Sequence, residues 1–312
     1  AHEGWHVTRR GIEHYLNPYD RKGGYVVTVG STPGLRATPQ AAPATPTVSQ
    51  PRLVTGRVFV EEDFVNLYND GSGRRWLGRT IENAGSTIFT NQLHGFTRQG
   101  SVTYVIAGGH RTDASPGVMS LFEQGTKVVD MPLLGMPRYL DTYVDRRTAT
   151  LPAETLPADG RSVVRIAYTN ANRNSTGALD YLEIHYPRQL VAHENEFTFW
   201  TDGSDTSVTE WMINGFSGEM FAFDITNPAM PILLANTSAT GGLYGLTAVM
   251  SRGVPRQFYV TAAVREARGE RIPWSNLRTD VPTADVVIVT HEDLLTSANA
   301  FASYRAAGGE LT

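Results

Sequence analysis

The 312-residue sequence contains no cysteine. This absence excludes disulfides and thiolate metal sites from the chain, and any cysteine nucleophile would have to lie outside it. Lysine is nearly absent too, since only Lys22 and Lys127 occur and arginine supplies the rest of the positive charge. We attribute that imbalance to genomic composition, because the broad hyperthermophile signature is enrichment in lysine and glutamate.

Long apolar and long basic runs are also missing. No apolar run reaches the roughly 18 residues of a membrane-spanning helix, so no transmembrane helix is predicted. The formal net charge is −4, and without a basic run a nucleic-acid partner is not expected. The first residue is Ala1 rather than methionine, which is typical of an exported chain trimmed by signal peptidase. An arbitrary starting point of the sequence would look the same.

Short strands separated by turn signals dominate what is present, with 30 glycines and 17 prolines. Such a pattern, with no convincing long helix before the last segment, favours β-sandwiches. The predicted strands are the segment from Leu53, Thr87–Phe89, Val102–Ala107, Val118–Phe122, Lys127–Met131, Ser162–Thr169, Leu179–Tyr186, Glu196–Trp200, Glu219–Ile225, Pro231–Ala235, Thr247–Met250 and Gln257–Ala262. Strict alternation in Leu179–Tyr186 would place Leu179, Tyr181, Glu183 and His185 on one face of their strand.

We divide the chain into five segments. Residues 1–36 form an N-terminal extension with one strand at Tyr25–Val29, and 37–51 form a Pro/Ala-rich linker or exposed strap. Residues 52–158 and 159–280 are predicted to be two tandem antiparallel β-sandwich units of the jelly-roll or immunoglobulin-like kind. Residues 281–312 are predicted to begin an α/β domain.

The last segment differs in kind from the rest. Ala284–Thr290 is a continuous apolar run, as expected of a strand buried on both faces. His291–Ala307 has apolar residues at helical spacing, and Gly308 and Gly309 follow it. One strand and one helix cannot enclose a core, so we expect this α/β domain to be incomplete.

The run Val58–Thr80 resembles a motif of the type IX secretion sortase family, the PorU-like proteins. In that family a strand with an acidic pair leads to an asparagine and then to a Ser-Gly-Arg-x-Trp-x-Gly element. The matching residues here are Glu61, Asp63, Asn66, Ser72, Gly73, Arg74, Trp76 and Gly78. Two features depart from the pattern: Asn69, Asp70 and Gly71 lengthen the loop, and Arg79 stands where an acidic residue is expected.

Three further stretches follow in the family's order. Gly177–Pro187 is similar to the family's LDYIE strand, and Phe221–Pro231 is similar to its FDVTDPxxP element. Ala284–Gly309 is similar to the opening strand and helix of the gingipain-like cysteine peptidase domain. The resemblance covers residues 53–312 and implies an exported protein at the outer-membrane surface of a Bacteroidota-type bacterium. It also implies a catalytic His–Cys pair beyond Thr312, so no activity is expected within this chain.

The candidate interaction patch consists of Asn66, Arg74 and Trp76. Its arginine and tryptophan are suited to cation–π or carboxylate contacts; the alternative is a structural tryptophan under the loop, with arginine paired to Glu61, Glu62 or Asp63. Neither a catalytic residue nor a metal ligand is predicted. Calcium remains an alternative at the oxygen-rich loop formed by Asp202, Ser204, Asp205 and Glu210, where a solvated turn is favoured.

Histidine pairs offer weaker metal candidates. His2 and His6 have the i, i+4 spacing of helical ligands, but an unstructured N-terminus is favoured. His185 and His193 are interpreted as ordinary strand positions, and His291 as a turn residue or a residue at the start of a helix.

The leading hypothesis is a scaffold or binding region that braces a sortase-like peptidase domain. Its expected partners are outer-membrane secretion components or cargo proteins, with self-association as a further alternative. A first rival is a module that binds carbohydrate or another surface polymer through exposed aromatics, namely Trp200, Trp211 and Tyr244. A second rival is a structural surface or filament subunit derived from a peptidase front end.

Overall fold

The computed structural model describes residues 3–8, 11–16, 31, 34, 36–43, 49–64, 76–112, 114–135, 143–204, 206–235, 238–240, 242–263, 266, 269 and 286–308. The chain divides into two compact units, Ala1–Val264 and Arg265–Thr312. The described strands are β1 (Glu3–Thr8), β2 (Gly11–Leu16), β3 (Thr38–Gln40), β4 (Leu53–Glu61), β5 (Thr80–Glu82), β6 (Ser86–Gln92), β7 (Ser101–Arg111), β8 (Gly117–Glu123), β9 (Thr126–Leu133), β10 (Tyr143–Pro152), β11 (Arg161–Asn170), β12 (Thr176–Gln189), β13 (Glu196–Trp200), β14 (Val208–Ile213), β15 (Phe221–Asp224), β16 (Ile232–Leu234), β17 (Ser238–Thr240), β18 (Leu243–Val249) and β19 (Gln257–Thr261). The mostly β architecture built from sandwich units is therefore confirmed.

Two sheets enclose the first core. One has the strand order β10-β7-β12-β4, with β5 paired to one end of β12, and the other has the order β6-β11-β8-β9. Burial follows the strand period of two, since every second residue of β11 from Ser162 to Tyr168 is buried. The larger core side chains include Tyr104, Ile106, Met119, Leu121, Met131, Val164, Ile166, Tyr168, Leu182 and Ile184.

One buried carboxylate lies within this first sandwich. Glu123 is 2% exposed and accepts hydrogen bonds from the Tyr104 hydroxyl at 2.9 Å, the Ser162 hydroxyl at 2.7 Å and the Val163 backbone N–H at 2.8 Å. Burial, and then the negative charge of Glu123, raise the pKa of Tyr104. The three hydrogen bonds offset the cost of burying the Glu123 carboxylate, because a buried carboxylate without partners would destabilise the fold by several kcal/mol.

The predicted boundary between residues 158 and 159 is wrong. β11 pairs with β6 and β8, and β12 pairs with β4, β5 and β7, so both belong to the first sandwich. The first sandwich therefore ends with β12, and the chain continues into the second sandwich at β13. Local patterns predict strands but not their partners, because pairing over 100 residues or more is decided by which faces meet in the core.

The second sandwich packs a five-stranded sheet against a three-stranded one. Their orders are β13-β19-β15-β16-β3 and β14-β18-β17. The core between them is strongly aromatic: Phe199 and Phe258 are fully buried and their ring centroids lie 5.2 Å apart, and Trp211 lies 5.3 Å from Phe258. Because β3 pairs with β16 in parallel, the sandwich is not purely antiparallel as predicted.

The Pro/Ala-rich segment 37–51, interpreted as a linker or an exposed strap, is structured in part. Its residues 38–40 are an exposed edge strand of the second sandwich. Farther along, the Ser49 backbone N–H donates to the Val208 oxygen at 3.2 Å, and the Ser49 oxygen accepts from the Glu210 N–H at 2.9 Å. Residues 38–40 and Ser49, which lie on either side of the undescribed residues 44–48, therefore both contact the second sandwich.

An ion pair joins the two sheets of the second sandwich, and its acidic partner belongs to the stretch Phe221–Pro231 that resembles the family element. Asp224 is 5% exposed and accepts from the Arg256 Nε at 2.9 Å and the Thr226 backbone N–H at 2.9 Å. A second Arg256 nitrogen also pairs with Asp224, and the third donates to the Val249 oxygen at 2.8 Å. Because Asp224 is on β15 and Val249 is on β18, the guanidinium links opposite sheets.

The N-terminal extension contains a hairpin that sequence reasoning missed. β1 and β2 pair antiparallel, with Glu3 opposite Leu16 and Thr8 opposite Gly11. The expectation of an unstructured N-terminus around His6 is therefore wrong; His2 and the strand predicted at Tyr25–Val29 lie outside the described residues.

The second unit contains the predicted helix. A 3-10 turn at Glu292–Leu294 leads into α1 (Leu295–Ala306), and the His291 Nδ1 accepts from the Asp293 N–H at 3.3 Å. The described part of the predicted strand, residues 286–290, forms no strand and is exposed, with Val289 at 93%. A strand is stable only beside a partner strand, and the described residues supply none here. No described helix is long and apolar enough to cross a membrane.

Candidate functional site

The predicted interaction patch lies only partly in the described structure. Asn66 and Arg74 fall outside the described residues, and Trp76 is 40% exposed. Next to it, the Phe64 backbone N–H donates to the oxygen of the fully buried Leu77 at 2.9 Å. This bond joins the two sides of the loop, and the patch itself stays a prediction.

Arg79, the departure from the family motif, forms an ion pair across the base of the same loop. Its Nε donates to Glu62 Oε2 at 2.8 Å, and its NH2 group pairs with Glu62 Oε1. These bonds to Glu62 raise the pKa of Arg79, because they favour its charged form. The side chain of Arg79 is 58% exposed, so this solvated pair adds little net stability.

The stretches Val58–Thr80 and Gly177–Pro187, which resemble the first two family motifs, contact each other at Gly78. Its N–H donates to the Leu179 oxygen at 2.7 Å, and a Cβ at Gly78 would lie 3.1 Å from that oxygen. A larger residue would push the two segments apart, which gives a physical reason for glycine at this motif position.

A β-bulge beside this contact shapes the outer face of the five-stranded sheet. Leu179 lies opposite Gly108 and Tyr181 lies opposite Ala107, so Asp180 is the additional residue. The bulge directs Leu179 into the first core and Asp180 outward to a cleft that Tyr181 also lines. The predicted alternation is therefore wrong for Leu179 and Asp180, because a bulge shifts the facing of a strand by one residue.

The cleft lies between the β1–β2 hairpin and this outer face and has a volume of about 550 Å³. Four carboxylates, one guanidinium and two imidazoles contribute to its wall. The lining residues are Ile12, Glu13, His14, Phe59, Glu61, Arg146, Asp180, Tyr181, Glu183 and His185.

Stacked rings form one wall of the cleft. The Phe59 ring lies parallel to the Tyr181 ring at 5.4 Å between centroids, and the His14 ring stacks on Phe59 at 3.3 Å. Burial raises the pKa of the Tyr181 hydroxyl, and the nearby Arg146 guanidinium opposes that rise. The three rings therefore form one stacked cluster, in which Phe59 contacts both of the others.

Glu183 lines the cleft, and Arg57 on the neighbouring strand is close enough to it for charge attraction. Glu183 is 8% exposed; the His185 Nε2 lies 2.9 Å from its Oε2, but the angle is not that of a hydrogen bond. On the neighbouring strand, Nε and one terminal nitrogen of Arg57 are buried without a hydrogen-bond partner. Burial lowers the pKa of Arg57 to about 10, against the attraction of Glu183 and Asp202.

Two tryptophans hold Arg57 in place. Its guanidinium carbon lies 5.9 Å from the Trp5 ring centroid and 5.1 Å from that of Trp200. Trp5 belongs to β1 and Trp200 to β13, so Arg57 connects the hairpin, the first sandwich and the second. Each desolvated cation–π contact contributes about 1–2 kcal/mol.

The predicted exposed aromatic platform does not form. Trp211 is 2% exposed and Tyr244 is fully buried in the second core, and burial raises the pKa of Tyr244 to about 12. Trp200 contacts Arg57 instead. Strand alternation places these rings inward, and the sequence alone does not say which face is the core face.

The remaining metal candidates separate in space. His185 lines the cleft, whereas the His193 ring stacks on His94 at 3.8 Å. Burial lowers the pKa of His94, and the neighbouring His193 adds to this. In the part of the chain that the structure describes, no three His, Cys, Asp or Glu side chains are grouped so that they could hold a metal ion.

The oxygen-rich loop behaves as a turn where it is described. The Ser204 N–H donates to Asp202 Oδ1 at 2.8 Å, and hydrogen bonds from Ser204 lower the pKa of Asp202. Glu210 lies apart, where its carboxylate accepts from Gln50 at 2.7 Å. Asp205 falls outside the described residues, so calcium at this loop stays untested.

Comparison with solved structures gives a likeness over nearly the whole chain. The chain superposes on the crystal structure of dimeric latent PorU from Porphyromonas gingivalis with a TM-score of 0.72 and 15% identity, over 98% of this chain and 29% of that one. A carbohydrate-binding module, CBM36 in complex with calcium and xylotriose, matches 41% of this chain and 98% of its own length at 13% identity, but its TM-score of 0.27 is too low to support an argument. No family model and no curated protein matches the sequence. The chain therefore has a PorU-like fold and spans about 29% of the PorU chain.

Proposed function

We propose that this chain is the non-catalytic front region of an exported, PorU-like sortase of the gingipain-like peptidase family. The observation that carries the proposal is the likeness to latent PorU over 98% of the chain at a TM-score of 0.72. The ordered motif stretches at Val58–Thr80, Gly177–Pro187 and Phe221–Pro231 support it from the sequence side. Their residues also make structural contacts, as Gly78 and Asp224 show.

The role within that protein is bracing and presentation. Arg57 joins the hairpin and both sandwiches through Trp5 and Trp200, and the strap along the second sandwich adds a further connection. Such a platform holds neighbouring domains in fixed positions. The chemistry of a cysteine peptidase needs a thiolate, and this chain has no cysteine, so catalysis would belong to residues beyond Thr312.

The partners would be outer-membrane secretion components, cargo proteins or a second copy. Self-association is supported by the PorU structure, which is described as dimeric. Sedimentation equilibrium of the purified chain measures this: a dimer is expected, and a monomer at about 100 µM would exclude self-association through this region at a useful strength.

The coding sequence beyond residue 312, together with an activity assay, tests the assignment. We expect the reading frame to continue into a caspase-like domain with a histidine and a cysteine. The longer protein, once processed from any latent form, should cleave cargo peptides in a manner blocked by cysteine alkylation, whereas the present chain should not. A frame without that pair, or alkylation-resistant cleavage by this chain alone, would overturn the proposal.

A binding module is the second candidate function. The cleft between the β1–β2 hairpin and the sheet favours it, because carboxylates and aromatic rings line a volume of about 550 Å³ there. Ligand binding by the isolated chain, with no peptidase domain present, distinguishes a binding role from bracing alone.

A further inference from the structure

We propose that the edge strand β6 is the surface through which two copies of this chain pair, so that their four-stranded sheets join into one continuous sheet. The proposal deepens the self-association proposed above and rests on that part of the proposed function. It does not depend on whether a peptidase domain follows.

The backbone of β6 is paired on one side only. Its register with β11 continues past both ends of the strand. At one end the Leu93 N–H donates to the Gly160 oxygen at 2.9 Å, and at the other the Tyr168 N–H donates to the Gly85 oxygen at 3.1 Å. Because hydrogen-bonded residues alternate along an antiparallel pair, the odd-numbered residues of β6 bond to β11. The N–H and C=O groups of the even-numbered residues therefore point away from β11, and no described residue pairs with them.

The composition of β6 distinguishes it from the other edge strands that the structure describes. Edge strands usually carry charges or proline, which oppose the addition of a further strand. A charged residue is present in each of β1, β2, β4, β9, β10, β13 and β14, and β3 and β17 have only three residues each. In contrast, β6 has seven residues, Ser-Thr-Ile-Phe-Thr-Asn-Gln, without a charge, a proline or a glycine. This edge therefore lacks the usual protection.

The side chains of β6 suit pairing with an identical strand. Ile88 is 61% exposed on the outer face, whereas Phe89 packs against the first core. β-Branched and aromatic residues form favourable cross-strand pairs, and like charges directly opposite each other are unfavourable. Two copies of an uncharged strand therefore lie side by side without repulsion.

An unpaired donor at this edge favours a second copy and selects its register. The Asn91 Nδ2 is buried without a hydrogen-bond partner. When two β6 strands pair antiparallel about Phe89, Asn91 lies directly opposite the partner's Thr87 on the same face of the sheet. Side chains at such positions have Cβ atoms about 4.5–5.5 Å apart, so the threonine hydroxyl can accept from the Asn91 amide.

The same register uses the outward backbone groups. It places Phe89 beside the partner's Phe89 and Ile88 opposite the partner's Thr90, so that even-numbered residues face even-numbered residues. Such pairs exchange their N–H and C=O bonds, which gives about eight new backbone hydrogen bonds. Because a seven-residue edge is small beside most stable interfaces, we expect a dissociation constant on the order of 10 µM.

Sedimentation equilibrium of the chain and two variants locates the interface. Ile88→Lys puts a charge at an exposed position of β6 and should weaken the dimer at least about tenfold, because lysine on an edge opposes strand addition. Thr148→Lys is the matched control, since Thr148 is an exposed residue of the edge strand β10 in the other sheet of the same sandwich. This variant should keep the dissociation constant within about twofold.

Amide hydrogen exchange, measured residue by residue, gives a second test that needs no variant. When the protein concentration rises from about 1 to about 200 µM, the amides of Ser86, Ile88, Thr90 and Gln92 should become protected. The odd-numbered amides between them bond to β11 and should be protected at both concentrations. An alternating, concentration-dependent pattern along β6 is specific to pairing at this edge.

The outcomes separate this assignment from self-association in general. A monomer at about 100 µM would overturn both. A dimer that Ile88→Lys does not weaken, or that Thr148→Lys weakens equally, would keep self-association and overturn the assignment to β6. Unchanged exchange of the four outward amides in a sample that dimerises would have the same meaning.

Discussion

Replacing Arg256 with methionine is expected to destabilise the second sandwich by about 3 kcal/mol. Methionine keeps the apolar stem but removes both bonds to Asp224 and the bond to the Val249 oxygen. Breaking one side of a buried ion pair costs about 3–5 kcal/mol. We expect the lower end, because Asp224 keeps its donors from Thr226. Such a loss is a large fraction of a domain's usual 5–15 kcal/mol or so.

Urea unfolding followed by tryptophan fluorescence measures this loss, since the buried Trp211 reports on the second core. Arg252→Met is the matched control: it is exposed and four residues away, and it should change stability by less than about 0.5 kcal/mol. Adding Asp224→Asn to Arg256→Met should lower the free energy of unfolding by much less than the sum of the single changes. The reason is that the second change removes the carboxylate charge that the first leaves unpaired. A loss below about 1 kcal/mol for Arg256→Met, or strict additivity in the double variant, would refute a structural role for the pair.

Three further perturbations test the packing and the buried polar groups. Tyr104→Phe removes one of three donors to the buried Glu123 and should cost about 1–3 kcal/mol in urea unfolding; no loss would mean that the acid is satisfied without it. Gly56→Ala would place a Cβ 2.4 Å from the Tyr186 ring, so we expect a loss of about 1–3 kcal/mol and a lower Tm, and an unchanged Tm would contradict the packing. Burial lowers the pKa of His110, so its unfolded form binds a proton first as pH falls below about 6.5. Stability should therefore be retained at pH 7 and decline towards pH 5, as measured by urea midpoints, and a His110→Gln variant that keeps the full decline would assign it to other groups.

Local patterns were enough to predict most strands and the helix. The alternation in Ser162–Thr169 matches the alternating burial of β11, and the predicted helix at His291–Ala307 contains α1. These features depend on side chains a few residues apart, so a short window of sequence contains the information. The strand predicted at Ala284–Thr290 shows the limit, because pairing with a partner strand is not a local property.

The family stretches were also visible in the sequence, but their physical reasons were not. Gly78 contacts the Leu179 oxygen about 100 residues away, and Asp224 pairs with Arg256. The candidate patch was chosen from the same stretch, yet two of its three residues fall outside the described structure. The cleft was missed because no motif marks it.

The sequence by itself determined that this protein is a strand-rich chain without a thiolate, divided by glycine and proline turns. Only the tertiary structure decided which strands share a sheet, where one sandwich ends and the next begins, and that Trp211 and Tyr244 face inward. It also brought Glu13, Phe59 and Glu183 to one cleft and inserted a bulge at Asp180. The reason is physical: strand formation follows local periodicity, whereas pairing, facing and clefts follow from long-range burial that no window of sequence contains.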